Sequence, residues 1–305
     1  MTTIIRWAAK AFGWLLSVLL AGFIYAPQGP AITPAAPESV KLQFAVMSDV
    51  HMESYTLDRF TGFGKSLRDA GKAVRHQDAL VLLGDNTMNG QPFEYLMLYG
   101  LLARFPAAKQ TIVAMGNHDL NQSTYEPADA IARHNRFLAS LTGVQYKNPY
   151  YSTVIDGYWF IVLGDEDGHE DTTTTITQTQ LDWLRYTLSQ AGVGGKPVFV
   201  FCHQPLNGTF DRVGLGDASD AVWEMLRQYR NVFFFSGHLH TPAGQLSIQQ
   251  KEGVTFVDLP TLLSDSLGRG VGYQVEVYGG RVLLRGRNYI KGTWVDALHF
   301  EIPIQ

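Results

Sequence analysis

Cysteine is nearly missing from this chain: Cys202 is the only one in 305 residues, so no intrachain disulfide can form and stability must come from packing. That scarcity does not assign a redox compartment, because a domain of this size buries a sizeable core without staples. Blocks of Lys and Arg are missing too, and the formal net charge is −4. Binding of nucleic acid through a basic surface is therefore disfavoured. An anionic substrate is not, since bound metal can supply local positive charge to a mildly acidic protein. No internal repeat is visible. What remains is an ordinary globular composition, 46% hydrophobic and 17% charged, with 30 Gly and 13 Pro.

Long apolar runs are also scarce. The longest uncharged one, Ala11 to Ala26, follows Arg6 and Lys10. As a helix it spans roughly 24 Å, a little short of a ~30 Å hydrocarbon core. Three readings fit it: an uncleaved anchor, a cleaved signal peptide, or a buried core helix. Cations before the segment would keep the N-terminus inside and place the rest outside the cytoplasm, membrane-anchored or secreted after cleavage. Residues 27–40 hold Pro27, Pro30, Pro34 and Pro37, four of the thirteen prolines. They read as an extended linker that could reach on the order of 40 Å. The expected organisation is an N-terminal signal or anchor over 1–26, a Pro-rich linker over 27–40 and one catalytic domain over 41–305.

From residue 41 short apolar runs alternate with longer amphipathic stretches. The runs Leu42–Met47, Ala79–Leu83, Thr111–Met115, Trp159–Leu163, Val198–Phe201 and Val232–Phe235 are continuous, which predicts strands covered on both faces. Helices are predicted over Leu57–Val74, Phe93–Arg104, Asp129–Leu141, Gln178–Gln190 and Asp220–Tyr229, with capping-box spacing at Thr177 and Gln180. Near the C-terminus Val271, Tyr273, Val275 and Val277 alternate with polar residues or Gly, and Gly279-Gly280 leads into Arg281–Arg285. That is a β-hairpin. Alternating strands and helices with an antiparallel end predict a layered α/β fold with mixed sheets.

Five of the apolar runs end in polar clusters: Ser48-Asp49-Val50-His51, Gly84-Asp85-Asn86, Gly116-Asn117-His118-Asp119, Cys202-His203 and Ser236-Gly237-His238-Leu239-His240. Ligands of layered α/β proteins bind beyond the carboxyl ends of strands, so these clusters should converge. Five of the nine histidines lie in them. Imidazole with carboxylate or amide oxygen suits first-row ions, whereas a thiolate site would need cysteines the chain does not have. The glycines before Asp85, Asn117 and His238 permit tight turns and close backbone approach. Any one cluster alone reads as a turn or a cap; together, so many buried ionisable groups need a metal to satisfy them.

The order Asp-x-His, Gly-Asp, Gly-Asn-His-Asp, His, Gly-His-x-His is similar to the signature of calcineurin-like metallophosphoesterases, over residues 42–240. The helix Gln180-Leu181-x-Trp183-Leu184 also resembles that family. The resemblance implies a four-layer α/β/β/α sandwich with two mixed β-sheets. It implies that Asp49, His51 and His240 hold one metal ion, that Asn117, His203 and His238 hold a second, and that Asp85 bridges them. His118 would face substrate, with Asp119 fixing its ring. Two Mn, Fe or Zn ions would activate a bridging hydroxide for in-line attack on a phosphodiester or phosphomonoester. The implied partner is a small phosphoester, with the N-terminal segment as membrane contact and no obligate protein partner. Met88 and Asn89 stand where Ser/Thr protein phosphatases carry Asp and Arg. Asp119 stands where they carry Glu, and Met88 also stands where purple acid phosphatases carry a Tyr. The chain therefore looks more like bacterial phosphodiesterases. The competing class is a non-catalytic scaffold of the same fold, which typically loses ligands that are all present here.

Other candidates carry less. His76, His134, His169 and His299 read as surface or satisfied side chains. The acidic run Asp165–Asp171 reads as a solvated loop, although its start at a strand exit could bring Asp165 near the site. The Gly-rich loop Asn207–Gly216, with Phe210 and Arg212, is a candidate substrate contact or an ordinary surface loop.

Overall fold

The predicted strands and helices form, and alternate residues of the continuous apolar runs face two different cores. The computed structural model describes residues 3–25, 28–120, 126–168, 173–211, 214–241, 247–263 and 269–305. The strands in chain order are β1 (Leu42–Met47), β2 (Gln77–Leu83), β3 (Ala108–Ala114), β4 (Tyr151–Ile155), β5 (Tyr158–Val162), β6 (Val198–Phe201), β7 (Val232–Ser236), β8 (Ile248–Lys251), β9 (Val254–Asp258), β10 (Val271–Val277), β11 (Arg281–Asn288) and β12 (Thr293–Pro303). The α-helices are α1 (Thr3–Leu19), α2 (Ala21–Ile24), α3 (Leu57–Ala70), α4 (Pro92–Arg104), α5 (Asn117–Leu120), α6 (Pro127–Thr142), α7 (Gln178–Ala191) and α8 (Ser219–Leu226).

One sheet has the order β12-β11-β10-β1-β2-β3, the other β4-β5-β6-β7-β9-β8. Strands β1 to β3 run parallel, as do β5, β6, β7 and β9, while antiparallel strands complete each sheet. Both sheets are thus mixed. Phe44, Phe160, Phe199, Phe201, Phe233 and Phe235 belong to one buried cluster, with Phe44 centred 4.9 Å from Phe199 and 5.1 Å from Phe160. The intervening Val198, Val200, Val232 and Phe234 pack with α7 and α8 instead. Edge-to-face aromatic pairs of this kind add about 0.5–1.5 kcal/mol each beyond area burial. Helices α3, α4 and α6 cover the outer side of the first sheet, giving four layers, as the family resemblance implies.

The hairpin at Gly279-Gly280 forms, with β11 running on to Asn288. β10 is buried on both faces rather than half-solvated, because residues 28–40 lie along it and its neighbours. That Pro-rich segment is pinned rather than extended into solvent. Arg287 donates to the Pro30 carbonyl at 2.8 Å, Arg285 to that of Thr33 at 2.9 Å, and the Ala35 amide donates to Glu276 at 2.9 Å. Arg287 is itself fully buried in a two-pronged pair with Asp69 at 2.5 and 2.9 Å. The N-terminal segment docks as well. Phe12 meets Phe93 of α4, and a Cβ on Gly13 would lie 2.4 Å from the Gly100 Cα. Among the described residues no helix is long and apolar enough to cross a membrane.

Candidate metal centre

Each cluster emerges from a strand end, and the backbone there is bent sharply. Asp49, His51, Asp85, His238 and His240 all take left-handed φ, between 46° and 68°. For residues with a side chain this conformation costs roughly 1–2 kcal/mol each, so the strain must be held. Main-chain bonds hold it: Asp49 N donates to the Gly84 carbonyl, His51 N to that of Asp85 at 2.8 Å, and Met52 N to that of Asn86 at 2.9 Å. From the other side Leu262 N donates to the Ser48 carbonyl at 2.9 Å. The glycines provide the close approach their positions require. A Cβ on Gly116 would meet Asp85 Oδ1 at 2.2 Å, and one on Gly237 would meet Ser48 Oγ at 2.1 Å.

Two groups of ligand atoms result. Asp49, His51, Asp85 and His240 offer atoms all within 4.8 Å of one another, and so do Asp85, His203 and His238. Asp85 belongs to both. In the first group the Nε2 atoms of His51 and His240 approach to 3.1 Å, with His240 Nε2 at 2.9 Å from Asp49 Oδ1. In the second His203 Nε2 lies 3.1 Å from Asp85 Oδ2, and His238 Nδ1 lies 3.1 Å from Asn117 Oδ1. All seven expected ligands are therefore gathered, Asn117 through its contact with His238. The His203 Nδ1–H donates to the Leu83 carbonyl at 2.9 Å, which aims Nε2 inward.

The donor set fits cations. Asp49 and Asp85 are buried, and among the described residues their only ion-pair partners are imidazoles. Burial would push the Asp49 carboxyl up, but hydrogen bonds from His240 and His51 hold it well below the usual carboxylate range. Asp85, likewise opposed by burial, is drawn down to about 2 by His203. Burial would lower His203, yet the Asp85 and Asp49 carboxylates drive it up to about 10. Desolvation and the His203 charge push His238 down to about 4, leaving a neutral imidazole ready to ligate. Buried carboxylates and crowded imidazoles satisfied mainly by one another are what a cation would replace.

His118 and Asp119 diverge from the expected arrangement. Asp119 does not fix the His118 ring: His118 Nδ1 lies 2.9 Å from the Met88 carbonyl. The two residues share the single turn of α5, where successive side chains point about 100° apart. The buried Asp119 carboxylate instead accepts from Thr87 Oγ1 at 2.7 Å, Thr87 N at 2.9 Å, Asn86 Nδ2 at 3.0 Å and Gly116 N at 3.1 Å. It clamps the loop that carries Asp85.

Of the weaker candidates, His76 and His299 are exposed as expected. His134 is not a satisfied side chain: it is fully buried on α6 with neither ring nitrogen hydrogen-bonded, and burial lowers its pKa. Asp165 is buried and accepts three backbone N–H groups of its own loop, so it shapes a turn and belongs to neither ligand group. His169, Glu170 and Asp171 lie outside the described residues, as does Arg212. Asn207 ties its loop by accepting from Gly214 N and Gly216 N, and Phe210 packs onto the α7–α8 core. The sequence reading missed Asp258 at the end of β9. It is buried, accepts from Thr241 Oγ1 at 2.6 Å beside His240, and burial pushes it up to about 7. The signal was a short apolar run, Val254–Val257, ending in a carboxylate.

Comparison with known proteins agrees with this geometry. The chain is 26% identical over 252 residues, 79% of its length and 71% of the relative's, to a cAMP/cGMP dual specificity phosphodiesterase of Mycobacterium tuberculosis. Its fold is similar to that of a dimetal phosphatase from Danio rerio, with a TM-score of 0.62 at 16% identity, covering 87% of this chain and all of the other. A purple acid phosphatase from yellow lupin (Lupinus luteus) superposes with a TM-score of 0.62 at 14% identity, over 86% of this chain and 53% of that one. The sequence pattern of the calcineurin-like phosphoesterases matches residues 42–242, from the first strand to just past His240. The chain belongs to the calcineurin-like phosphoesterase family and is a metal-dependent phosphoric ester hydrolase.

Proposed function

We propose that the protein hydrolyses phosphodiesters at a two-metal centre, with small cyclic nucleotides among its candidate substrates. The carrying observation is that Asp85 belongs to both ligand groups, so one carboxylate can lie between two cations. Such a pair of Mn, Fe or Zn ions supplies Lewis acidity, neutralising phosphoryl charge and acidifying a water nucleophile at neutral pH. The Mycobacterium relative's cyclic-nucleotide activity supports the substrate class. Asp49, His51 and His240 would hold one ion, Asn117, His203 and His238 the other.

The remaining work falls to His118. A ring nitrogen 2.9 Å from the Met88 carbonyl must carry a proton to donate, which leaves Nε2 as the atom that gives or takes one. In this reading Nε2 protonates the leaving oxygen or stabilises the charge developing on it, an effect worth ~10²–10⁴ in rate. No covalent phosphoenzyme is needed. The test pairs metal content with hydrolysis of bis-p-nitrophenyl phosphate, p-nitrophenyl phosphate and cyclic nucleotides. Asp85→Asn is expected to lose both metal occupancy and turnover. Full turnover in that variant, or full wild-type turnover with a single ion per chain, would refute the two-metal assignment.

A further inference from the structure

We propose that α1 and α2 form an in-plane docking surface for the anionic face of a lipid bilayer, holding the enzyme on a membrane without crossing it. Trp7, Trp14, Leu15, Val18, Leu19 and Phe23 recur at the spacing of one helix face, and all are exposed, from 48% at Val18 to 71% at Trp7. The opposite face is committed. Phe12, Leu16, Leu20 and Ile24 pack into the domain core, and Gly13 sits backbone-to-backbone against Gly100. The segment thus presents apolar surface on both sides, one used by the domain and one open. Contiguous exposed apolar area rimmed by polar groups marks an interaction site.

Charge and shape select the occupant. No Asp or Glu precedes Glu38, whereas Arg6 and Lys10 lie in α1. At the other end of the face the Arg104 guanidinium donates to the Tyr25 hydroxyl at 2.6 Å, and that of Arg68 lies 4.6 Å from the Tyr25 ring centre. An apolar stripe with Trp and Tyr, flanked by cations and free of acids, suits the headgroup level of an anionic membrane. A spanning arrangement fits less well. α1 ends at Leu19, and pulling it away would uncover α4.

The full chain is tested by flotation with phosphatidylcholine vesicles, with and without phosphatidylglycerol. We expect binding that strengthens with phosphatidylglycerol, weakens with salt and is released by alkaline carbonate. The double variant Leu15→Glu/Leu19→Glu replaces two exposed side chains and should bind at least about tenfold more weakly. Its turnover of bis-p-nitrophenyl phosphate should stay at the wild-type level, which makes this surface testable whatever the fate of the two-metal reading. Equal vesicle binding by the variant would overturn the proposal, as would retention through the carbonate wash, which marks a spanning helix. A dimer in light scattering that the variant splits would assign the face to a second copy of the chain. A mature protein from its own cells beginning after Tyr25 would also refute it.

Discussion

Replacing Asp119 by Asn separates two roles that one carboxylate could play. Its oxygens accept from backbone N–H groups of Asn86, Thr87 and Gly116, the Asn86 amide, the Thr87 hydroxyl and, at 3.5 Å, the Tyr95 hydroxyl. An amide of the same shape must aim its NH₂ at one of these groups of donors. The less costly choice faces Thr87 and Tyr95, whose hydroxyls can rotate to accept, but the Thr87 N–H cannot. One buried N–H then loses its acceptor, at about 1–3 kcal/mol, and the surviving bonds lose their charge-assisted part, which brings the total to roughly 3 kcal/mol. For a domain of this size that is a fall in melting temperature of roughly 6–12 °C. Because the clamped loop carries Asp85, metal content should fall with stability. Thermal unfolding, metal analysis and turnover on one preparation decide the matter. If Asp119→Asn kept its melting temperature and its metal while kcat collapsed, the carboxylate would be acting on the His118 ring after all.

Three further outcomes follow from the same geometry. His118→Ala should keep its metal content and lose about 10²–10⁴ in kcat, since the ring bonds Met88 rather than a ligand; metal loss would show it had been misplaced. Gly116→Ala should lose metal and turnover together, because its Cβ would sit 2.2 Å from Asp85 Oδ1; a variant with normal metal content contradicts that. His203, raised to about 10 in the metal-free protein, binds a proton there that the unfolded chain releases near its ordinary value of about 6.5. Its contribution is therefore full below pH ~6.5 and is lost as pH rises through about 10. Metal-free protein should lose stability across that window while metal binding tightens and releases protons, measurable by calorimetry in buffers of different ionisation heat; affinity independent of pH there would refute it.

Much of the fold was legible because burial on both faces leaves a continuous apolar run, and six of those runs became strands. The omissions have physical reasons. β4 is a half-exposed edge strand, β8 is polar, and β12 mixes both, so none shows a clean period. The turn at Asp156-Gly157, with φ of 51° and 80°, is a readable hairpin signal that joins β4 to β5. The docked N-terminus was not readable, since an apolar helix looks the same whether lipid or α4 covers it.

The convergence of the candidate metal-holding clusters was legible for a different reason: a strand exit is where the chain must turn, and side chains placed there can do chemistry without weakening a ladder. What adjoins the ligands was not. Leu83 orients His203 and Met88 holds His118, each through a main-chain carbonyl that any residue at that position would supply. Position 88 can therefore carry Met where the protein phosphatase pattern has Asp, and the imidazole still finds an acceptor. The identity of residue 88 is free to vary only as long as the path of the loop is fixed. That path depends on Asp119 and on Glu94, whose buried carboxylate accepts from Asn89 N at 2.9 Å and Gln91 N at 3.1 Å. Specificity for the His118 position thus resides in two acidic side chains that never touch its ring.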